Sequence, residues 1–471
     1  MLRTKIVATI GPACDRPEGL RALLAAGVDV ARINMAHGTH EEHARVIDGL
    51  RGIARDLAKP VAVLVDLAGP KIRIGALPAP VELHAGDAVT LAPEARATGS
   101  ELPHTFPPLA ADVTPGNRIL LDDGLMELRV ERVEGERVQA TVVQGGLLHE
   151  HKGMNLPGVA VSAPALSEKD VADLAFAIEQ DVDYIGLSFV QHAADIADLR
   201  ARIPADTLIV AKIEKDTALR ELEAIVQAAD AVMVARGDLG VELPFEQVPL
   251  AQKRIIQVSN LYGRPVITAT QMLESMIEHP RPTRAEVSDV ANAIIDGTDA
   301  VMLSGETATG AFPERAVEAM VRIAGEIERS SFLEDGPRYD IPVLDHLQQG
   351  ATPTAHAVAA ASVEAVRLLG APAVVTFTRS GSTTRMVSCY RPPVPILAVT
   401  DQEKTCRQLA LVWGARPLRF HGEASYDALL ACARDYLLGQ GIARPGQRVV
   451  VTAGVPFHAA GGTNLMRVEV L

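Results

Sequence analysis

Lys212, Glu214 and Asp238 are the residues whose types best suit chemistry on an oxyanion. Carboxylate oxygens are hard ligands, and two of them suit Mg²⁺, or Mn²⁺ in its place, with the remaining positions left to substrate oxygens and water. An ammonium beside them puts a point charge where negative charge grows in a transition state. Arg32 and Arg73 add guanidinium groups, whose planar fork donates paired hydrogen bonds to a phosphate. Gly237 and Asp238 can offer two backbone N–H groups to a substrate carboxylate, because Gly237 carries no side chain to obstruct it. Each residue also has an ordinary reading. Glu214 can be a solvated loop carboxylate, Lys212 an ion-pair partner, Thr270 and Ser304 helix caps, and Lys71 and Lys152 solvated lysines.

Position decides between these readings, and position depends on the elements. Short runs rich in Val and Ile alternate with segments of helical period, the pattern of repeated βα units. Strands are expected over residues 4–10, 28–34, 61–66, 184–188, 208–212, 231–234, 265–268 and 300–303, and eight such units predict a closed (β/α)₈ barrel. Ser167-Glu-Lys-Asp170 offers a serine cap and an acidic third position before one of the helices. In this fold the chemistry gathers at the C-terminal ends of the strands. The candidates do follow the predicted strands: Arg32, Asn34 and His37; Asp66, then Lys71 and Arg73; Lys212 and Glu214; Arg236, Gly237 and Asp238; Thr270 and Gln271; Ser304 and Glu306.

The alternation breaks after the third strand. Residues 118–121, 126–132 and 137–143 carry period-two patterning, so residues 71–163 read as an inserted all-β, barrel-like domain placed to act as a lid over the barrel mouth. The barrel then comprises residues 1–70 and 164–333, residues 334–342 read as a linker, and residues 343–471 form a C-terminal α/β domain. Within that last domain, elements are expected over residues 354–369, 373–377, 396–400 and 448–452. No internal repeat is seen.

A chain of 471 residues, 48% hydrophobic, supports a large core and further domains. A net charge of −14 argues against nucleic-acid and anionic-membrane partners, and no apolar run approaches a bilayer span. The four cysteines have neither disulfide nor zinc-ligand spacing, which suits a reducing cytoplasm.

Six stretches closely resemble pyruvate kinase: Thr4-Lys-Ile-Val-Ala-Thr-Ile-Gly-Pro12, Val30-Ala-Arg-Ile-Asn34, Met233-Val-Ala-Arg-Gly-Asp-Leu-Gly240, Ala269-Thr-Gln-Met-Leu-Glu-Ser-Met276, Pro282-Thr-Arg-Ala-Glu286 and Met302-Leu-Ser-Gly-Glu-Thr-Ala308. Lys212-Ile-Glu214 matches the family's active-site lysine and metal carboxylate, and the likeness runs through essentially the whole chain. The resemblance implies transfer of a phosphoryl group from phosphoenolpyruvate to ADP, giving pyruvate and ATP. It implies that Glu214 and Asp238 hold Mg²⁺, and that Gly237, Asp238 and Thr270 receive the substrate carboxylate. Arg32 and Lys212 would face the phosphoryl group, and Lys212 would neutralise the enolate. Asn34, His37, Arg73 and Lys152 would serve the nucleotide. Water near Thr270, Ser304 and Glu306 would protonate the enolate. A homotetramer is implied as well.

Departures from the family pattern carry expectations of their own. Many members hold K⁺ near Asn34 and Asp66, whereas this chain has Ala36 at the hydroxyl position, Leu67 where threonine is common, and Lys71 where K⁺-dependent members carry glutamate. The Lys71 ammonium is expected to replace the cation, so K⁺ is not required. The loop Thr378-Arg379-Ser380-Gly381-Ser382-Thr383 resembles the family's effector loop, implying a phosphosugar or nucleoside monophosphate activator; a capped turn is the alternative. Two rival functions remain at this point. A Mg²⁺-dependent lyase would have no use for Arg73 and Lys152, and a catalytically silent metabolite sensor would have no use for Lys212, Glu214, Asp238 and Thr270.

Overall fold

The computed structural model describes residues 2–330, 333, 354–455 and 462–471. Eight parallel strands, β1 (Lys5–Ile10), β2 (Val30–Asn34), β3 (Ala62–Asp66), β4 (Tyr184–Leu187), β5 (Leu208–Ile213), β6 (Ala231–Ala235), β7 (Val266–Ala269) and β8 (Ala300–Leu303), close into a barrel. Each lies within two residues of its predicted span at both ends. Helices cover the outer face, so the strands are buried end to end; β2 alone departs, at Arg32 and Asn34. Alternation divides the strand residues between two cores. Val7 points inward with Val30, Leu64, Tyr184, Val210, Met233, Ile267 and Met302, whereas Ile6 and Ala8 pack outward under the helices.

A recurrence that the sequence reading missed organises the barrel floor. Asp29, Asp183, Asp230 and Asp299 immediately precede the even strands β2, β4, β6 and β8. Each accepts the backbone N–H at or beside the start of the preceding odd strand: Ile6 at 3.0 Å, Val63 at 2.8 Å, Ile209 at 2.9 Å and Val266 at 2.9 Å. Single residues at such long intervals leave no repeat signal in a sequence.

The insertion leaves after β3 and returns before the helix Glu168–Glu179. It contains a six-stranded sheet in the order Met154–Asn155, Arg118–Leu121, Met126–Glu134, Arg137–Gln144, Ala88–Pro93, Leu102–His104, and a separate pair, Gly146–Leu148 with Val81–Leu83. Both pieces share one apolar core, to which Leu83, Leu91, Leu128 and Leu148 contribute. The two connections to the barrel are pinned to one buried side chain. Asp170 accepts from Gly69 N at 3.1 Å and from Ser167 N and Oγ at 2.9 and 2.5 Å, the last two within the predicted cap.

The C-terminal domain is a five-stranded sheet of β9 (Val374–Phe377), β10 (Ile396–Thr400), β11 (Ala415–Arg419), β12 (Arg448–Ala453) and β13 (Leu465–Val470), in the order β11-β10-β9-β12-β13, with β13 antiparallel. The sequence reading missed β11 and β13. Both are edge strands, and β11 carries Pro417, which only an edge tolerates well. The predicted linker, residues 334–342, lies outside the described residues. This domain closes the floor of the barrel. Leu411 and Ala410 belong to the inner barrel core, Tyr184 Oη donates to Gln408 O at 2.7 Å, and Arg407 and Arg391 pair with Asp183 and Asp299 at 2.8 and 2.9 Å.

Candidate active site

At the opposite end of the barrel, four of the predicted residues form one connected ionic network. Arg32, from β2, places Nη2 at 2.6 Å from Asp66 Oδ2 at the end of β3, and its Nη1 donates to Thr9 Oγ1 at 3.0 Å. The other Asp66 oxygen faces Lys212 Nζ at 3.3 Å. Lys212 in turn pairs with Glu214 Oε1 at 2.9 Å and donates to Ser188 Oγ at 2.7 Å. Asp66 and Glu214 are both 1% exposed, and Lys212 is 9% exposed. These charges therefore interact in a largely dry environment, where Coulomb terms outweigh those at a surface.

Burial and neighbours set the protonation of this group. Burial favours the neutral form of Asp66, but Lys212 and Arg32 outweigh it and hold the carboxyl below its ordinary value. Burial likewise opposes the Lys212 ammonium, and Asp66 followed by Glu214 outweighs it, so its pKa is raised. Glu214 is pushed up to about 7, first by burial, against the pull of Lys212 and with the charge of Asp238 adding to the rise. The buried Glu214 and the half-buried Asp238 raise each other's energy when both are charged, and a cation held between them would relieve that repulsion. Among the described residues no third His, Cys, Asp or Glu completes a metal cluster with them. An oxygen-only pair leaving most positions to water and substrate fits Mg²⁺ or Mn²⁺.

A second group gathers at the ends of β6 and β7. Thr270 Oγ1 accepts from Gly237 N at 2.7 Å and donates to Ala269 O at 2.6 Å. Thr270 and Gln271 both sit in the left-handed region, with φ of 70° and 53°, a strained conformation for a β-branched residue. Arg236 supports this turn, donating to Ala269 O at 3.2 Å and Thr270 O at 2.7 Å while pairing with Asp289. Gly237 and Asp238 lie in the first turn of the helix Arg236–Glu242, so their N–H groups are free of helical partners, as a carboxylate site requires. A Cβ on Gly237 would meet Thr270 Oγ1 at 3.6 Å, filling the space between the two groups. Glu306, 1% exposed, accepts from Ser304 N at 2.7 Å and Leu273 N at 3.0 Å, so both its oxygens shape the loop. Ser304 Oγ is buried and has no hydrogen-bond partner among the described residues.

The remaining predicted residues lie outside these groups. Asn34 Oδ1 accepts from Ala36 N at 3.1 Å, which fixes the turn leading to the exposed His37. Arg73 and Lys152 are on the insertion, Arg73 donating to His151 O at 3.0 Å and Lys152 pairing with Asp122 at 2.9 Å. Lys71 is exposed and lies against Gly153, where an added Cβ would come within 3.9 Å of Nζ; it makes no hydrogen bond or ion pair with Asn34 or Asp66. The loop 378–383 lines a cavity of about 650 Å³ between the C-terminal domain and the barrel, together with Asp206, Asp230 and Lys404. Sequence reasoning missed Thr9, Ser188 and the support given by Arg236. Ser188 ends the predicted strand 184–188, and its position there was the available signal.

The comparisons with known proteins agree with this geometry. A family model described as "Pyruvate kinase, barrel domain" matches residues 1–317, and one described as "Pyruvate kinase, alpha/beta domain" matches residues 356–469. The chain is similar to the pyruvate kinase of Geobacillus stearothermophilus, 45% identical over 477 aligned residues that cover all of this chain and 80% of the relative. It is also similar to the pyruvate kinase of Clostridium acetobutylicum, 41% identical over 478 aligned residues covering both chains fully. Among solved structures, a pyruvate kinase from Cryptosporidium parvum superposes with a TM-score of 0.90 at 34% identity, covering 100% of this chain and 96% of the other.

Proposed function

The chain belongs to the pyruvate kinase family, and from that premise we propose how its own residues carry out the family's reaction. The reaction moves the phosphoryl group of phosphoenolpyruvate to ADP, giving pyruvate and ATP, and the family requires a divalent metal. The observation that carries the proposal is the buried Lys212 ammonium, held by Asp66, Glu214 and Ser188 beside the Arg32 guanidinium.

The substrate carboxylate binds at the N–H groups of Gly237 and Asp238 and at the Thr270 hydroxyl, displacing the hydrogen bond that joins Gly237 to Thr270. Arg32 and Lys212 orient the phosphoryl group. As the bridging oxygen is released, Lys212 neutralises the enolate without moving, because its position is fixed in advance. Glu214 and Asp238 would hold Mg²⁺, or Mn²⁺ in its place, which when bound neutralises charge on the transferring group; a second divalent ion accompanies the nucleotide. Arg73 and Lys152 from the lid, with Asn34 and His37 from the barrel, engage the nucleotide. The Ser304 hydroxyl, unpartnered among the described residues, orients with Thr270 the water that protonates the enolate at carbon, and Glu306 holds the loop. Lys212→Met is expected to abolish pyruvate formation while Mn²⁺ binding persists. An unaffected rate would remove Lys212 from this role.

Turnover without K⁺ belongs to the same proposal. Both Asp66 oxygens already face cations, and Lys71 stands at the root of the lid. Equal rates in K⁺-free and K⁺-containing buffer, with K⁺ dependence appearing in Lys71→Glu, would support this; a wild-type rate seen only with K⁺ would sink it. The cavity beside residues 378–383 is the site proposed for a phosphosugar or nucleoside monophosphate activator, tested by titrating such compounds against the KM for phosphoenolpyruvate. A homotetramer working in the cytoplasm completes the reading, and light scattering tests the subunit number. Among the described residues no helix is long and apolar enough to cross a membrane.

A further inference from the structure

Ser188 and Phe189 form the turn at the C-terminal end of β4, and this turn touches both the ion pair and the lid hinge. Ser188 Oγ accepts from Lys212 Nζ at 2.7 Å and donates to Leu67 O at 2.7 Å. With its one proton committed to Leu67, the oxygen can only present a lone pair to the ammonium. The Lys212 ammonium donates to Ser188 and lies within ion-pair distance of Glu214 and Asp66, so its position is held from three sides. Phe189 is a non-glycine residue with φ of 55°, and its N–H donates to Glu214 Oε2 at 2.6 Å. A left-handed aromatic residue is strained and persists where its surroundings fix it.

The hinge packs on the same turn. Gly69 has φ of 71°, and a Cβ there would come within 2.8 Å of Phe189 Cδ2 and 2.9 Å of Ser188 Cβ. Leu67, whose carbonyl takes the Ser188 proton, opens this first connection to the lid, and Lys71 closes it.

We propose that Ser188 is a positioning residue that locks the Lys212 ammonium and ties its placement to the lid hinge at Leu67 and Gly69. Lid position and the orientation of the charge that meets the enolate are then mechanically linked through one hydroxyl. The inference rests on the role given to Lys212 above.

Two variants of the intact enzyme separate this role from packing. Ser188→Ala removes the acceptor, and Ser188→Cys keeps nearly the same volume with a weak one. Both are expected to lower kcat about 10- to 100-fold, the effect of losing a hydrogen bond to a charged group. The KM for ADP should stay within about threefold, because the groups proposed for the nucleotide are untouched. Hydrogen exchange of the hinge peptide spanning residues 67–71 supplies a readout apart from activity. It should rise in Ser188→Ala and also in Lys212→Met, since removing the ammonium frees the hydroxyl from that end. A kcat lowered in Ala but restored in Cys would reduce Ser188 to filler and overturn the proposal, as would unchanged kcat in both or hinge exchange indifferent to Lys212→Met. An active Lys212→Met would instead defeat the reading of Lys212 itself.

Discussion

Replacing Asp66 with asparagine removes one negative charge from the centre of the network and leaves its shape nearly intact. In the native site Arg32 and Lys212 share Asp66, at 2.6 and 3.3 Å, and among the described residues Glu214 supplies the other carboxylate paired with Lys212. At 3.3 Å the attraction between Lys212 and Asp66 is worth about 1 kcal/mol in bulk water and about 5 kcal/mol at an effective dielectric of 20. Burial of all three groups places the true value toward the upper figure. Because Asp66 is the largest influence raising the Lys212 pKa against burial, Asp66→Asn lets burial prevail, and the ammonium loses its proton at lower pH. The expected result is a kcat at neutral pH about 100-fold lower, in line with a misplaced catalytic charge, and an alkaline limb of the kcat profile displaced downward. Stability follows the opposite edge of the pH scale. The folded-state pKa of Asp66 is depressed, so its contribution is present above the ordinary carboxylate range and is lost as the pH falls through the folded value. The deficit of the variant should therefore be largest near neutrality and shrink in acid. Coupled assays from pH 6 to 10, with thermal melts over the acidic range, measure both effects. A variant with kcat within about threefold of wild type and an unmoved alkaline limb would refute the electrostatic reasoning.

Three further outcomes are expected. Thr270→Val keeps the shape but removes the hydroxyl proposed to meet the substrate carboxylate; a hydrogen bond to a charged group is worth about 1.5–3 kcal/mol, so kcat/KM for phosphoenolpyruvate should fall about 10- to 100-fold, while Thr270→Ser stays within a few-fold. Leu411→Ala opens a cavity under the barrel floor and should cost about 2–5 kcal/mol in denaturant melts, with kcat unchanged because the floor lies at the end away from the chemistry. Glu214, pushed up to about 7, must be ionised to bind a metal, so Mn²⁺ affinity measured without substrate should level off only about a unit above that value and decline steadily below it; an affinity independent of pH between 5 and 7 would contradict the burial of this carboxylate.

The barrel was legible because its strands are buried on both faces and read as uninterrupted apolar runs, and because turns place the polar residues just after them. Arg32, Asp66, Lys212 and Glu214 could be listed from the sequence, but their pairing could not, since the contacts join β2 to β3 and β3 to β5. Ser188 escaped notice because a serine at a strand end is ordinary until its partners are known. Glu306 was placed beside the proton route by resemblance; that each of its oxygens accepts a backbone N–H, from Ser304 and from Leu273, depends on backbone geometry and was not legible. The edge strands β11 and β13 were lost for another reason. Exposed edges do not demand apolar runs, and β11 is arginine-rich and contains a proline.

Steady-state pyruvate formation from phosphoenolpyruvate and ADP with Mg²⁺, compared between the wild type and Lys212→Met, tests the central claim most directly. The account predicts robust turnover by the wild type and a loss of about 1000-fold or more in kcat for the variant, with Mn²⁺ still bound. A Lys212→Met enzyme that turns over within tenfold of the wild type would contradict it.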